Sequence, residues 1–209
     1  MFYLRNKKYK FLKITMLETS QAENLSDEEL ASLCISNQDY YAYIIHRYKN
    51  KLFYYIKRIT NVSEVDIEDL LQEIFLKAYL NLNDFDSSYK FSSWLYSIAH
   101  NQVISNYRKL QARPESRSFS LDDDDARKIA ANIDHEKDID NLIKKELIFK
   151  IFDKIASKYR EILILKFIEE KSYQEISDII KKPMGTVASM LNKAKQEFKK
   201  EFEKNNINI

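Results

Sequence analysis

Glycine is nearly absent from this sequence, with one in 209 residues beside two prolines, where average usage gives roughly 7% and 5%. Sandwiches, barrels and doubly wound sheets need turn residues at almost every reversal, and phosphate-cradling loops need glycines. The scarcity excludes them and leaves an all-α protein. A lone cysteine, Cys34, supports neither an internal disulfide nor a cysteine-based zinc site, which fits a reducing cytoplasm. No run approaches the roughly 18 consecutive apolar residues of a membrane span, so no membrane insertion is expected. The N-terminus is basic and aromatic (Phe2, Tyr3, Arg5, Lys7, Lys8, Lys10, Phe11, Lys13). It lacks the apolar core and small-residue cleavage site of a signal peptide. Met16 reads as an ordinary start, which makes 1–15 an optional extension.

What the chain does have is charge, unevenly placed. The net +2 hides a partition: 1–24 is basic, 25–113 nearly neutral, 114–140 acidic with nine acidic and four basic residues, and 141–209 basic again. The acidic stretch carries Asp122 to Asp125, follows Pro114 and has a Ser-rich approach (Ser116, Ser118, Ser120). It reads as a linker between two helical domains, either a solvated spacer or a functional segment.

Apolar spacing before the linker is helical. Ser26 with Glu29 fits a capping box opening a short helix through Leu30 and Leu33. Tyr41, Ile44, Ile45, Tyr48, Leu52, Ile56 and Ile59 trace the next face. Two further stripes run from Ile67 to Leu82 and from Phe91 to Leu110, separated by a polar loop with aromatics at 83–90. After the linker, helices are expected over Leu142–Ile155 and Tyr159–Phe167. Ser172 and Glu175 form a second capping box, ahead of helices at 172–180 and about 185–203. The last two fit a helix-turn-helix, with Gly185 at the turn into the second helix. Many antiparallel helix pairs share that pattern.

Duplex reading by such a motif places the N-terminal residues of the second helix at base edges. Thr186, Ala188, Ser189 and Asn192 occupy that face, while Lys181, Lys182, Lys193 and Lys195 suit phosphates. A solvated Lys/Glu helix is the plainer account of the same charges. No catalytic residue, cofactor or metal is expected. The carboxylates are scattered without a nucleophile–base pair, and His100 has no second ligand at helical spacing.

Residues 68–79 (EDLLQEIFLKAY) and 91–101 (FSSWLYSIAHN) resemble the second-region motifs of bacterial extracytoplasmic-function sigma factors. Lys158 to Leu163, Ser172 to Ser177 and Pro183 to Val187 resemble the same family's fourth region. The likeness runs from about 25 to 203, with the motifs in order and a linker between the halves. It implies a four-helix second-region domain at 25–113, a linker at 114–140 and a helix-turn-helix domain at 141–209, behind an extension at 1–24. It also implies a protein that binds core RNA polymerase, directs it to promoter DNA and helps open it. The polymerase surfaces implied are the clamp of the largest catalytic subunit and the flap of the second largest. An anti-sigma factor is a further implied partner.

Carried over by residue, the resemblance assigns polymerase docking to Asp66, Asp69, Gln72 and Glu73. It assigns −10 DNA to Ser87, Ser88, Tyr89, Lys90, Phe91, Tyr96, His100, Asn101, Ser105, Arg108 and Lys109, with Asn101 the foremost base contact and Trp94 left to the core. It assigns −35 DNA to Lys182, Gly185, Thr186, Ala188, Ser189, Asn192, Lys193 and Lys195. The sequence departs from the family at Ala188 and Met190, where basic residues are common, and at Lys171, where glycine is. Fewer cations on the recognition helix lower phosphate affinity and its salt dependence. For the linker the resemblance implies a path through the RNA exit, with Asp122 to Asp125 replacing phosphates among basic groups. A free-standing helix-turn-helix regulator, binding duplex DNA without polymerase, is the competing account. A plain flexible tether is the competing account of the linker.

Overall fold

The computed structural model describes residues 24–60, 62–111, 148 and 150–204. The extension at 1–23, the linker with Asp122 to Asp125, and the Leu142–Leu147 part of the expected helix lie outside the described residues.

Among the described residues the chain is entirely helical. Helix α1 spans Asp27–Ser36, and its expected capping box is present: Ser26 accepts from the Glu29 amide and Glu29 accepts from the Ser26 amide. Helix α2 (Tyr41–Ile59) buries Tyr41, Ile44, Tyr48, Leu52, Tyr55, Ile56 and Ile59. Helix α3 (Glu64–Leu80) starts at Ser63, whose side chain accepts from the Asp66 amide, and buries Ile67, Leu70, Leu71, Ile74, Phe75 and Ala78. Helix α4 (Phe91–Gln111) is the hub, packed against α1, α2 and α3. Each fully buried Leu, Ile or Phe here contributes about 1.5–3 kcal/mol. Helix propensities differ by under about 1 kcal/mol per residue, so packing decides the bundle.

A helical segment ending at 154 buries Ile151 and Phe152 and leads into α5 (Ser157–Phe167). Helix α5 buries Arg160 to Leu165 without a break, so neighbours cover it all round. The helix-turn-helix consists of α6 (Tyr173–Ile180) and α7 (Met184–Lys204), joined at Lys181. The second capping box is also present, with Ser172 accepting from the Glu175 amide and Glu175 from the Ser172 amide.

The turn corrects one reading of the sequence. Gly185 lies inside α7, has no positive φ, and has nothing within 4 Å of where a Cβ would stand. The left-handed residue that ends α6 is Lys181, at φ 53°. The strain of a side chain in that conformation is on the order of 1 kcal/mol. It falls on a lysine whose charge suits a helix C-terminus. The sole glycine supplies no conformational freedom to the turn.

The two domains also touch. Helix α5 packs on α2, and α6 packs on α4.

Candidate nucleic-acid interface

Helix α7 turns Val187, Leu191 and Ala194 inward, which fixes what faces out. Gly185, Thr186, Ser189, Asn192, Lys193 and Lys195 are exposed, as is Lys182 before the helix, while Ala188 is half-buried. Thr186, Ser189 and Lys193 follow one another at helical spacing on one side. Ser189 turns its hydroxyl back to the Thr186 carbonyl at 2.9 Å. Lys195 leans over the Phe167 ring, 5.7 Å from its centroid, on the flank of this face.

The loop before α4 is built around Asp86, whose carboxylate accepts from the Ser88 amide at 2.9 Å. That backbone hydrogen bond, with one from the Ser88 side chain, holds the Asp86 carboxyl below its ordinary value. Ser87, Ser88, Tyr89 and Lys90 are exposed, and they line a hollow of about 530 Å³ with Asp27, Glu28 and Arg47 opposite. Glu28 reaches across to accept from the Phe91 amide at 2.8 Å, tying α1 to the start of α4. A second hollow, about 320 Å³, lies between α3 and α4 and is lined by Lys77, Asn81, Trp94 and Asn101. Asn101, Ser105, Arg108 and Lys109 are exposed along α4.

Two expected strand contacts lie elsewhere. Phe91 is fully buried, its ring 5.3 Å from Phe85, 5.4 Å from Trp94 and 6.0 Å from Tyr48. It belongs to the core with half-buried Trp94. Tyr96 is 1% exposed and donates to Glu169 on the second domain at 2.6 Å. In this arrangement neither ring is available to stack on a base. His100 is half-buried against the same domain, its Nδ1 2.6 Å from Glu161 Oε1. Facing an acceptor-only carboxylate, the ring donates from that nitrogen.

These contacts are part of a polar seam between the domains. Tyr55 donates to Glu161 Oε1 at 2.6 Å and Arg58 to Glu169 at 3.4 Å. Lys90 pairs with Glu175 at 3.2 Å. Lys171 donates to Ser92 Oγ at 3.0 Å with its ammonium 4.8 Å from the Tyr96 ring centroid. Burial pushes the Tyr55 and Tyr96 phenols far above their ordinary value, aided by Glu161 and Glu169 respectively, so both remain neutral donors. Burial lowers the Lys171 ammonium against the pull of Glu175 and Glu169. For Glu175, burial works to raise the carboxyl, but the Ser172 hydrogen bonds, Lys90 and Lys171 together bring it below its ordinary value.

Helix α3 carries the remaining assigned residues. Asp66, Asp69, Gln72 and Glu73 are all exposed. Asp66 accepts from the Ser63 hydroxyl at 2.6 Å, and Glu73 accepts from Gln102 on α4. Among the described residues Asp69 and Gln72 make no side-chain hydrogen bond. Three apolar neighbours escaped the sequence reading: Val65 is 73% exposed, Leu76 58% and Leu80 67%. With Asp69 and Gln72 they form one outward stripe at steps of three and four. Their signal was available, since none of the three falls on the buried positions of α3. Glu161 and Glu169 were missed too. Glu161 stands beside Arg160 just before the apolar run Ile162–Leu165, and only the packed arrangement shows it buried with polar partners.

The comparisons with known proteins agree with this architecture. Residues 44–113 match the family model described as Sigma-70 region 2, and residues 145–198 that described as Sigma-70, region 4. The chain is 33% identical over 176 residues to the ECF RNA polymerase sigma factor SigW of Bacillus subtilis, spanning 79% of this chain and 90% of that protein. It is 32% identical over 187 residues to the ECF RNA polymerase sigma-E factor of Haemophilus influenzae, spanning 84% and 94%. Among solved structures, CnrH in complex with the cytosolic domain of CnrY superposes with a TM-score of 0.64 at 20% identity, over 86% of this chain and 99% of that one. The sigma factor RpoE in complex with the anti-sigma factor NepR, from Bartonella quintana, gives 0.55 at 18% identity, over 78% and 96%. These two likenesses concern the fold. With both regions matched in order, and relatives above 30% identity along most of their length, the chain belongs to the extracytoplasmic-function (ECF) RNA polymerase sigma factors.

Proposed function

We propose that the chain docks on core RNA polymerase through the outward stripe of α3 and directs it to promoters that it helps open. The observation that carries this reading is the stripe itself. A free-standing helix-turn-helix regulator has no use for Val65, Asp69, Gln72, Leu76 and Leu80 aligned in solvent on the domain that does not read duplex DNA. Acidic and amide groups flanked by exposed apolar side chains suit a basic, partly apolar helical partner. The clamp of the largest subunit is the expected site, with the flap of the second largest taking the other domain.

Promoter reading divides between the domains. Thr186, Ser189, Asn192 and half-buried Ala188 reach base edges of the −35 duplex, and Lys182, Lys193, Lys195 and the bare Gly185 backbone take phosphates. At −10, Ser87, Ser88, Tyr89 and Lys90 frame the hollow beside Arg47, where an unpaired base fits and Tyr89 offers a stacking surface. Asn101, Ser105, Arg108 and Lys109 continue the path along α4. Domain limits of 25–113 and 141–209 follow from this division, with 114–140 as tether or RNA-path mimic. An anti-sigma factor is a further partner.

Run-off transcription with core polymerase on the promoter of the chain's own operon tests the reading. Added protein should produce promoter-directed transcripts, and a D69A/Q72A variant should lose core association. Absence of both core binding and initiation, with duplex binding intact, favours the free-standing regulator.

A further inference from the structure

The first two turns of α7, from Met184 to Leu191, hold no charged side chain. Lys182 before the helix and Lys193 in its third turn bracket that stretch, and both are exposed. Guanine presents two acceptors to the major groove, which arginine or lysine answers with paired donors. The entering part of this helix has no such donor. Its exposed polar groups are Thr186 and Ser189, with Asn192 next in line. We propose that this chain reads its −35 element as A·T pairs, with Asn192 the residue that selects adenine. This deepens the reading of α7 as the duplex-facing helix and rests on it.

Each side chain narrows the choice in its own way. The Ser189 hydroxyl spends its one proton on the Thr186 carbonyl, 2.9 Å away, and so presents only lone pairs. In the major groove an acceptor finds a partner in the amino group of adenine or cytosine, and none on guanine or thymine. Asn192 makes no side-chain hydrogen bond among the described residues, so its carbonyl and its amide are both available. That acceptor–donor fork matches adenine N6 and N7 together, whereas cytosine has no acceptor beside its amino group. Thr186 and half-buried Ala188 add methyl groups, which the thymine methyl meets. Length sets where the reading stops. At about 1.5 Å per residue, Asn192 stands about 12 Å along the helix from Met184, roughly the width of the groove. Gln196, exposed one turn further on the same ridge with the same amide, stands about 18 Å along and past it.

Selection from a library of duplexes with a randomised window tests this, using the full chain alone and with core polymerase added. Wild type is compared with Asn192→Ala, Asn192→Arg and Gln196→Ala, each checked for folding by circular dichroism. Wild type should enrich a motif of adenine and thymine. Asn192→Ala should flatten one adenine position, at which wild type discriminates roughly five- to 150-fold, and leave its neighbours. Asn192→Arg should turn that position to guanine, whose two acceptors fit the guanidinium fork. Gln196→Ala should leave the motif as it is in wild type. A wild-type guanine or cytosine at the position that Asn192→Ala flattens overturns the adenine assignment while the duplex reading of α7 stands. So does a motif that Asn192→Ala leaves intact, or one that Gln196→Ala flattens in its place. No enriched motif in either arm overturns the assignment and the duplex reading of α7 together.

Discussion

Tyr55→Phe in combination with Glu161→Gln measures the domain contact directly. Tyr55 is fully buried on α2 and its hydroxyl meets Glu161 Oε1 at 2.6 Å. Phenylalanine keeps the ring and its packing on Tyr96, whose centroid is 5.0 Å away, so the loss is confined to one hydrogen bond. A bond to a charged acceptor is worth about 1.5–3 kcal/mol, and a neutral amide in the same place recovers part of that. Tyr55→Phe should therefore cost about 1.5–3 kcal/mol and Glu161→Gln somewhat less. The double variant should cost less than their sum, with a coupling of about 1–2 kcal/mol. Urea unfolding followed by tryptophan fluorescence is the assay, because the only tryptophan, Trp94, sits in the first domain among Phe85 and Phe91. A change at Glu161 moves that signal only through the contact between domains. Additivity within about 0.5 kcal/mol, or a tryptophan transition indifferent to Glu161→Gln, would refute the packing of α5 on α2.

The remaining predictions concern single side chains. Asn101→Ala should impair initiation on duplex promoters while core association, measured by native gel shift, persists; equal loss of both means an unfolded domain. Cys34 is 4% exposed and burial pushes its thiol up from 9.0 to about 11. Native protein at neutral pH should thus react with maleimide far more slowly than urea-unfolded protein, and equal rates would contradict the burial. The Glu175 carboxyl sits below its ordinary 4.5. Its contribution to stability is present above that value and lost as pH falls through the folded one. Thermal melts should show wild type ahead of Glu175→Ala at neutral pH, with the gap closing as pH falls below the ordinary 4.5. Gly185→Ala meets open space at a helical position and should stabilise the second domain by up to about 1 kcal/mol, read from its melting temperature.

Helices buried along one stripe were the legible part of the fold. The positions along α2 recur at three and four because one side meets the core and the other meets water, and the capping residues Ser26 and Ser172 sit where they were expected. Helix α4 was harder. Packed by α1, α2, α3 and α6 over its first half, it buries Tyr96 where the family motif put it toward DNA, while Phe91 stays on the apolar stripe that periodicity drew and not at the strand contact the motif implied. Periodicity names a face but not the number of partners. The turn of the helix-turn-helix failed differently: glycine is the usual left-handed residue, and the chain used Lys181 instead. Of the candidate site, the exposed residues of α7 and of the 87–90 loop were read from sequence. The α3 stripe and the seam glutamates required the packed arrangement.

Tyr55 and Glu161 lie 106 positions apart on one chain, so their meeting is a unimolecular event. A partner on the same chain behaves as if present at a fixed effective concentration, which dilution does not lower. Any separate molecule that engages the covered face of α4 competes with that fixed internal rival. The outcome then depends on the competitor's own concentration and affinity, and the abundance of this chain drops out of the balance.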